Sequence, residues 1–428
     1  DGFIEAANGD AIPERVRHAV MSRVESLVDV RHITLAEIER RVLLAGDVPG
    51  IQLASTLARG SKRGGTKLIL QAVYDPVQGT LVSDNRLNSA LGGWQHTASV
   101  SVNSMLGLGE QAYGTIAGSG DVLSEDSRLK MYAAGLVIPL GRDGLSFNPE
   151  YTLTRSTPIP AAGAPATDDR FERYAARLSY PFIRTRTITL TGQTAYEHVT
   201  QQSEAMAFNA LINLDRYDLV RNGLQANIYN GSGGNLWFGT QLSNGVTGRS
   251  QNDARAEAIP LSRQNAKPQF SKVTGDVGVA QALPHAFRIQ LTARGQASAS
   301  GALLKGEQLS LDSSDILTGW SSGTFLVDQG FTVRGELQRR FELVHSGWLT
   351  SLTPYVFAAS GHGQLLSPTA AERSAVTAHA MGFGARGALD LPDNRFGGFT
   401  GLELSRRFSD DPDKPEGWRG VVNFGIRF

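Results

Sequence analysis

The sequence contains no cysteine, which excludes a disulfide framework and any thiolate metal site. It also lacks the roughly 18 to 20 consecutive apolar residues that a membrane-spanning helix needs. A helical membrane protein is therefore not expected. A membrane barrel is not, because its strands alternate lipid-facing and lumen-facing residues and average out as mildly polar. The mean hydropathy of −0.19 fits that description. Net charge is missing too: 41 Lys and Arg balance 41 Asp and Glu, so no global field draws in nucleic acid. The eight histidines never take a metal-site spacing such as His-Glu-x-x-His. Gly107-Leu108-Gly109 opens no predicted helix, so it reads as a tight strand connection rather than a phosphate loop. No local motif supports a catalytic triad. The residues thus call for no cofactor, no metal and no enzymatic chemistry. A secretory leader is also missing at Asp1-Gly2-Phe3-Ile4, so an exported barrel is expected to have been processed or truncated ahead of this point.

What is present divides into two regions of different period. Residues 1 to 76 read as a small α+β domain of order β-α-α-β-β. A short strand is predicted over Phe3 to Ala7, and a helix over Pro13 to Leu27 with Val16, Val20 and Val24 at helical spacing. A second helix begins at Thr34, whose hydroxyl can cap the backbone while Glu37 completes a capping box, and it ends near Gly46. Strands follow at Ile51 to Leu57 and Lys67 to Tyr74.

From Val77 to Phe428 the period is two. Phe287, Ile289, Leu291 and Ala293 share one face, while Arg288, Gln290, Thr292, Arg294 and Gln296 share the other. Phe331, Val333 and Leu337 alternate in the same way with Arg334, Glu336, Gln338 and Arg340. A soluble β-sandwich would alternate too, but its strands average about 5 or 6 residues, whereas these run to about 10. Length favours a transmembrane antiparallel barrel of about 16 strands, an even number that leaves both termini on one side. Segments 200–212, 251–267 and 366–373 are expected to be extracellular loops, and Leu283-Pro284-His285 and 141–144 periplasmic turns. Trp94, Trp237, Trp348 and Trp418 are candidates for interfacial girdles. The final strand carries Phe424, Ile426 and Phe428 on its apolar face, an aromatic ending that resembles the signal read by the barrel-assembly machinery.

One stretch is more specific than pattern. Leu35-Ala36-Glu37-Ile38-Glu39-Arg40-Arg41-Val42-Leu43-Leu44-Ala45-Gly46-Asp47-Val48-Pro49-Gly50 resembles the second periplasmic POTRA domain of two-partner secretion transporters, the TpsB or hemolysin-activator family. Ser83-Asp84-Asn85-Arg86 and the stretch from Asn103 to Glu110 resemble that family's first barrel strands. Arg177-Leu178-Ser179-Tyr180-Pro181 and Leu352-Thr353-Pro354-Tyr355-Val356-Phe357 continue the likeness.

The resemblance implies an outer-membrane transporter of a Gram-negative bacterium with its N-terminal domain in the periplasm. Its partners would be an unfolded secreted protein, outer-membrane lipid and, during biogenesis, the assembly machinery. The POTRA domain would capture the client by adding it as a strand to a sheet edge, and a loop around 301–328 would fold into the lumen. The alternatives are a barrel-assembly insertase and a passive porin or anchoring barrel. Arg288, Arg294, Arg334, Glu336 and Arg340 would then face the lumen, either as a track for the client or simply solvating a water-filled interior.

The family pairs an arginine of a loop Val-Arg-Gly-Tyr with an aspartate of a strand Phe-x-Asp-x-Gly. Aligned on Glu307-Gln308-Leu309-Ser310-Leu311, the loop motif falls here on Leu317-Thr318-Gly319-Trp320. The strand motif falls on Phe357, Ala359 and Gly361. Threonine and alanine replace both partners, which avoids leaving one buried charge unpaired. A literal Val333-Arg334-Gly335 lies within a predicted strand. The loop is therefore expected to be held by Trp320 packing and lumenal arginines, or to be held loosely.

Overall fold

The computed structural model describes residues 2–6, 12–28, 30, 32–60, 65–120, 124, 126–312, 315–343, 350–390 and 396–428. Lys62 and Arg63, in the connection between the strands predicted at Ile51 to Leu57 and Lys67 to Tyr74, and Trp348 lie outside the described residues.

The N-terminal unit runs β1 (Gly2–Ala6), α1 (Glu14–Val24), α2 (Leu35–Gly46), β2 (Ile51–Arg59) and β3 (Thr66–Tyr74). Pro13 precedes the first turn of α1, where its missing N–H costs nothing. Thr34 caps α2 by accepting the Glu37 amide at 3.2 Å. The valines spaced along α1 do face inward: Val16, Val20 and Val24 pack with Ala45, Val48, Ile51, Leu70 and Ala72. The sheet order is β1-β3-β2, with β1 parallel and β2 antiparallel to the central β3.

The barrel begins at β4 (Val77–Asp84), β5 (Gln95–Asn103), β6 (Gln111–Gly118), β7 (Leu129–Pro139) and β8 (Ser146–Ser156). Its longest strands follow: β9 (Thr167–Arg184), β10 (Ile188–Ala205), β11 (Ala210–Tyr229) and β12 (Gly234–Gly248). After α3 (Gln251–Ala256) come β13 (Ser271–Ala282) and β14 (Phe287–Ser298). A two-residue ribbon, β15 (Leu309–Ser310) with β16 (Leu326–Val327), interrupts the wall. The wall resumes with β17 (Gln329–Arg339), extended by β18 (Phe341–Glu342), then β19 (Ser351–Gln364) and β20 (Ala375–Asp390). It ends with β21 (Gly397–Ser409) and β22 (Gly417–Arg427). The result is a closed 16-stranded antiparallel barrel.

Closure is made by β22 on β4, through Asn423–Arg427 paired with Thr80–Asp84. Phe428 completes the seam by exchanging two backbone hydrogen bonds with Gly79, and its ring lies where a Cβ on Gly79 would stand. Ile289, Leu291, Leu402, Phe424 and Ile426 are exposed on the outer face, the composition that hydrocarbon requires.

Two expectations about the loops change. Segment 200–212 is not a long loop. Strands β10 and β11 continue through it to a tight tip at 206–209, so this side of the wall stands well beyond the roughly 9 to 11 residues that cross a bilayer. Cross-strand pairing along Ala195–Ala205 outweighs the polar composition that suggested a loop. Arg340 does not sit in the strand ladder; it falls at the break between β17 and its extension β18, exposed and paired with Glu342 at 2.7 Å.

The small unit is docked on the domain-side rim. Arg184 grips Asp47 through two contacts of 2.7 and 2.9 Å, and Arg41 meets Asp143 at 2.5 Å. Tyr74 donates to the Asn103 carbonyl at 2.5 Å, and Ser104 to that of Pro49 at 3.0 Å. The turn after Asn103 is the tight connection read from its glycines. Gly107 and Gly109 take φ of 81° and 78° while the Glu110 carboxylate accepts the Leu106 and Leu108 amides.

Candidate functional site

The connection from β14 to β17, residues 299–328, folds into the lumen instead of extending away from the barrel. Its legs pair as the ribbon β15–β16. Asp312 closes the neck by accepting the Ser310 hydroxyl and the amides of Thr324 and Phe325. Beyond the neck the finger is packed rather than loose: Leu311, Ile316, Leu317 and Trp320 are all buried. Leu311, Leu317 and Trp320 join Tyr355, Phe357 and Ala359 of β19 and Val376, Ala378 and Ala380 of β20 in one apolar cluster. The backbones come close enough that side chains would collide. A Cβ on Gly361 would stand 2.8 Å from the Leu317 Cδ1, and one on Gly319 would stand 2.8 Å from the Ser405 Oγ.

The polar contacts at the fingertip are the centre of the site. The Thr318 hydroxyl donates to the Glu403 carboxylate of β21 and accepts Nη1 of Arg334 at 2.8 Å. Arg334 also donates to the Ile316 carbonyl at 3.3 Å and to Glu403 Oε2 at 2.9 Å, and it pairs with Glu336 at 3.0 Å. Glu336 is held in turn by Arg386 of β20, and Tyr355 donates to Glu403 at 3.0 Å. The Arg334 guanidinium lies 3.6 Å from the centre of the Phe357 ring, a cation–π stack. Trp320 donates its indole N–H to the His379 carbonyl at 3.1 Å and stands edge-on to Phe325. Arg407 lies over the Trp320 ring and donates to the Gly319 carbonyl at 3.4 Å.

Arg334 does lie inside β17, as its alternation requires, yet it is also the arginine that meets the loop. The register explains how: Arg334 is paired across the strands with Ala359. A guanidinium therefore enters the lumen beside the position where the family pattern places an aspartate.

A second cluster anchors the base of the loop on the adjoining arc of the wall, strands β11 to β13. Glu307 is almost fully buried and pairs with Arg221 of β11 at 2.9 Å and Lys272 of β13 at 2.8 Å, while accepting the Tyr217 hydroxyl at 3.0 Å. Burial pushes the Glu307 carboxyl up, but the two cations beside it prevail and hold it below the ordinary carboxylate range. Asp328, fully buried, pairs with Arg263 at 2.5 Å and accepts the amides of Leu303 at 3.1 Å and Leu366 at 2.6 Å. It thereby ties three loops at the far end of the barrel.

Among the other residues singled out by sequence, Arg294 reaches the finger through Asp315 at 3.5 Å. Arg288 lies exposed two positions before the lumen-lining Gln290. Phe424, Ile426 and Phe428 stand outward, exposed by 49%, 51% and 44%, so none of them takes part in the lumen. Sequence reasoning missed Glu403, Arg386, Glu307, Asp328 and Arg263. Glu307 was visible only as an alignment anchor, within the polar stretch Lys305-Gly306-Glu307-Gln308.

The haemolysin secretion/activation protein family ShlB/FhaC/HecB has a sequence model that matches residues 64–387. No curated protein matches the sequence. Among solved structures, CdiB from Escherichia coli aligns with a TM-score of 0.75 at 18% identity, over 100% of this chain and 76% of that one. CdiB from Acinetobacter baumannii aligns with a TM-score of 0.70 at 15% identity, over 100% of this chain and 73% of that one. BamA from Haemophilus ducreyi lacking POTRA domains 1–3 aligns with a TM-score of 0.57 at 9% identity, over 100% of this chain and 84% of that one. At these identities the structural matches speak for the fold.

Proposed function

The chain belongs to the family of haemolysin secretion/activation proteins ShlB/FhaC/HecB, and from that membership we propose how its parts share the work of secretion. It is an outer-membrane transporter of a Gram-negative bacterium that moves a partner protein to the cell surface. We assign residues 1–76 to a POTRA-like periplasmic domain and 77–428 to the transmembrane barrel with its lumenal loop. The domain receives the client unfolded and hands it to the lumen.

The observation that carries this division is the free edge of β2. In the order β1-β3-β2 that strand has, among the described residues, a neighbour on one side only. Its other side borders a groove lined by Leu35, Ile38 and Val42 of α2 and by Leu53 and Leu57, with Arg184 and Arg186 of the barrel rim at its border. Such an edge offers unpaired N–H and C=O groups to any extended chain, whatever its sequence, and the apolar groove takes alternate side chains. An unfolded client needs that tolerance. Outer-membrane lipid covers the apolar belt, and the last strand, with Phe424, Ile426 and Phe428, addresses the chain to the assembly machinery. Thr318, Trp320 and their seat keep the lumen shut at rest.

Deleting the gene and comparing proteins in the medium tests the reading. One extracellular protein should disappear, return with the wild-type gene, and stay absent when Leu35→Asp and Leu57→Asp are introduced together into a barrel that still assembles. An unchanged medium after deletion would refute the transport role of this chain; recovery with the double variant would refute the groove.

A further inference from the structure

The loop is held on two walls by bonds of different kinds. At the fingertip the ions all belong to the barrel: buried Arg334 and Glu336 on β17 and buried Glu403 on β21, with the half-exposed Arg386 of β20, pair among themselves. To them the finger offers neutral groups, the Thr318 hydroxyl and the Ile316 carbonyl, and elsewhere the Gly319 carbonyl and the Trp320 indole. Its one charged contact beyond the neck among the described residues is Asp315 with Arg294, where the aspartate side chain is 53% exposed and water can replace the partner. Withdrawing the finger thus leaves every buried ion of the wall paired.

The base differs. Glu307 and Asp328 are loop residues whose partners Arg221, Lys272 and Arg263 lie outside the loop, and both carboxylates are shielded from water. Pulling the base away would strand buried charges on both sides, the costliest way to break an ion pair. Between the two levels, Asp312 staples the legs of the finger to each other, so the finger holds its own shape without the wall.

We propose that opening is a swing of the finger, residues 309–327, about a base at Leu303–Gln308 and Asp328 that stays seated on the β11–β14 wall throughout transport. The passage then opens along the β17–β21 wall. This rests on the transporter reading above, yet channel conductance needs no client, so its test stands apart from the test of secretion.

Because the chain has no native cysteine, introduced pairs are unique reporters. Gly319→Cys with Ser405→Cys bonds the finger to the wall: a Cβ built on Gly319 is 3.6 Å from that of Ser405, within disulfide range. Ser262→Cys with Lys305→Cys bonds the base to the preceding loop, where the Ser262 hydroxyl accepts the Lys305 amide at 3.1 Å. Each full-length variant is reconstituted in planar bilayers and compared with its own reduced form. The oxidised finger pair should abolish the openings seen after dithiothreitol, and the oxidised base pair should leave them unchanged. If the first finger pair does not assemble, Leu317→Cys with Gly361→Cys replaces it. A base bond that silences the channel, or a finger bond that leaves it opening, overturns the proposal.

Discussion

Arg334 stands across the strand pair from Ala359 and donates to the Thr318 hydroxyl at 2.8 Å. The barrel wall therefore supplies the cation at the seat of the lumenal loop, and the loop supplies a hydroxyl. Removing that hydroxyl with Thr318→Val should deprive the finger of two bonds to charged groups while Arg334 and Glu403 remain paired. Hydrogen bonds to ions are worth about 1.5–3 kcal/mol each, so losing the two should shift the balance between closed and open channels by roughly a hundredfold or more in planar bilayers.

Arg334 itself belongs to the fold as much as to the gate. Arg334→Met leaves Glu403 buried without its cation, at a cost of about 3–5 kcal/mol, and the heat-modifiable barrel should unfold at a lower temperature. Arg334→Met combined with Glu403→Gln should recover much of the loss, since the stranded charge is then gone. A double variant no more stable than the single one would show that Glu403 is not the stranded group.

The family's own ion pair can be rebuilt here, and the two halves should behave differently. Ala359→Asp places a carboxylate directly opposite Arg334 and should be tolerated alone. Thr318→Arg sets a second guanidinium against Arg334 and should loosen the finger by itself. Together the substitutions should lower the open probability below that of Thr318→Arg alone. Conductance and secretion identical in all four forms would deny the fingertip any locking role.

Acid should reach the base of the loop late. The Glu307 carboxyl lies below its ordinary range in the folded protein. Its anchoring is accordingly complete above the ordinary value of about 4.3 and is lost only as pH falls through the lower folded value. Channel openings should thus be insensitive to Glu307 down to about pH 4.3 and increase below it, whereas Glu307→Gln should increase them at neutral pH. Titration of openings between neutral and acid pH, with and without the substitution, checks both halves.

Assembly offers a final check. Phe428 closes the seam over Gly79, and a Cβ at Gly79 would fall 2.4 Å from its ring. Gly79→Val should slow barrel closure even though valine favours strands, and the fraction of unfolded protein in semi-native gels should increase.

The barrel was legible because alternation is a local property. Ile289 and Leu291 against Arg288 and Gln290 state which face is wet without knowledge of any neighbour, and the helical spacing of Val16, Val20 and Val24 does the same for α1. The absence of cysteine and of long apolar runs narrowed the class further. The lock was not legible, because its members lie far apart in the chain: Thr318, Arg334, Glu336, Arg386 and Glu403 meet only once the register pairs Arg334 with Ala359 and Met381 with Arg406. Sequence could show that the expected arginine and aspartate were both missing. Only the closed sheet, which sets strands β17, β20 and β21 around one buried fingertip, decided that their charge had moved to the wall. Burial then made those ions pair with one another.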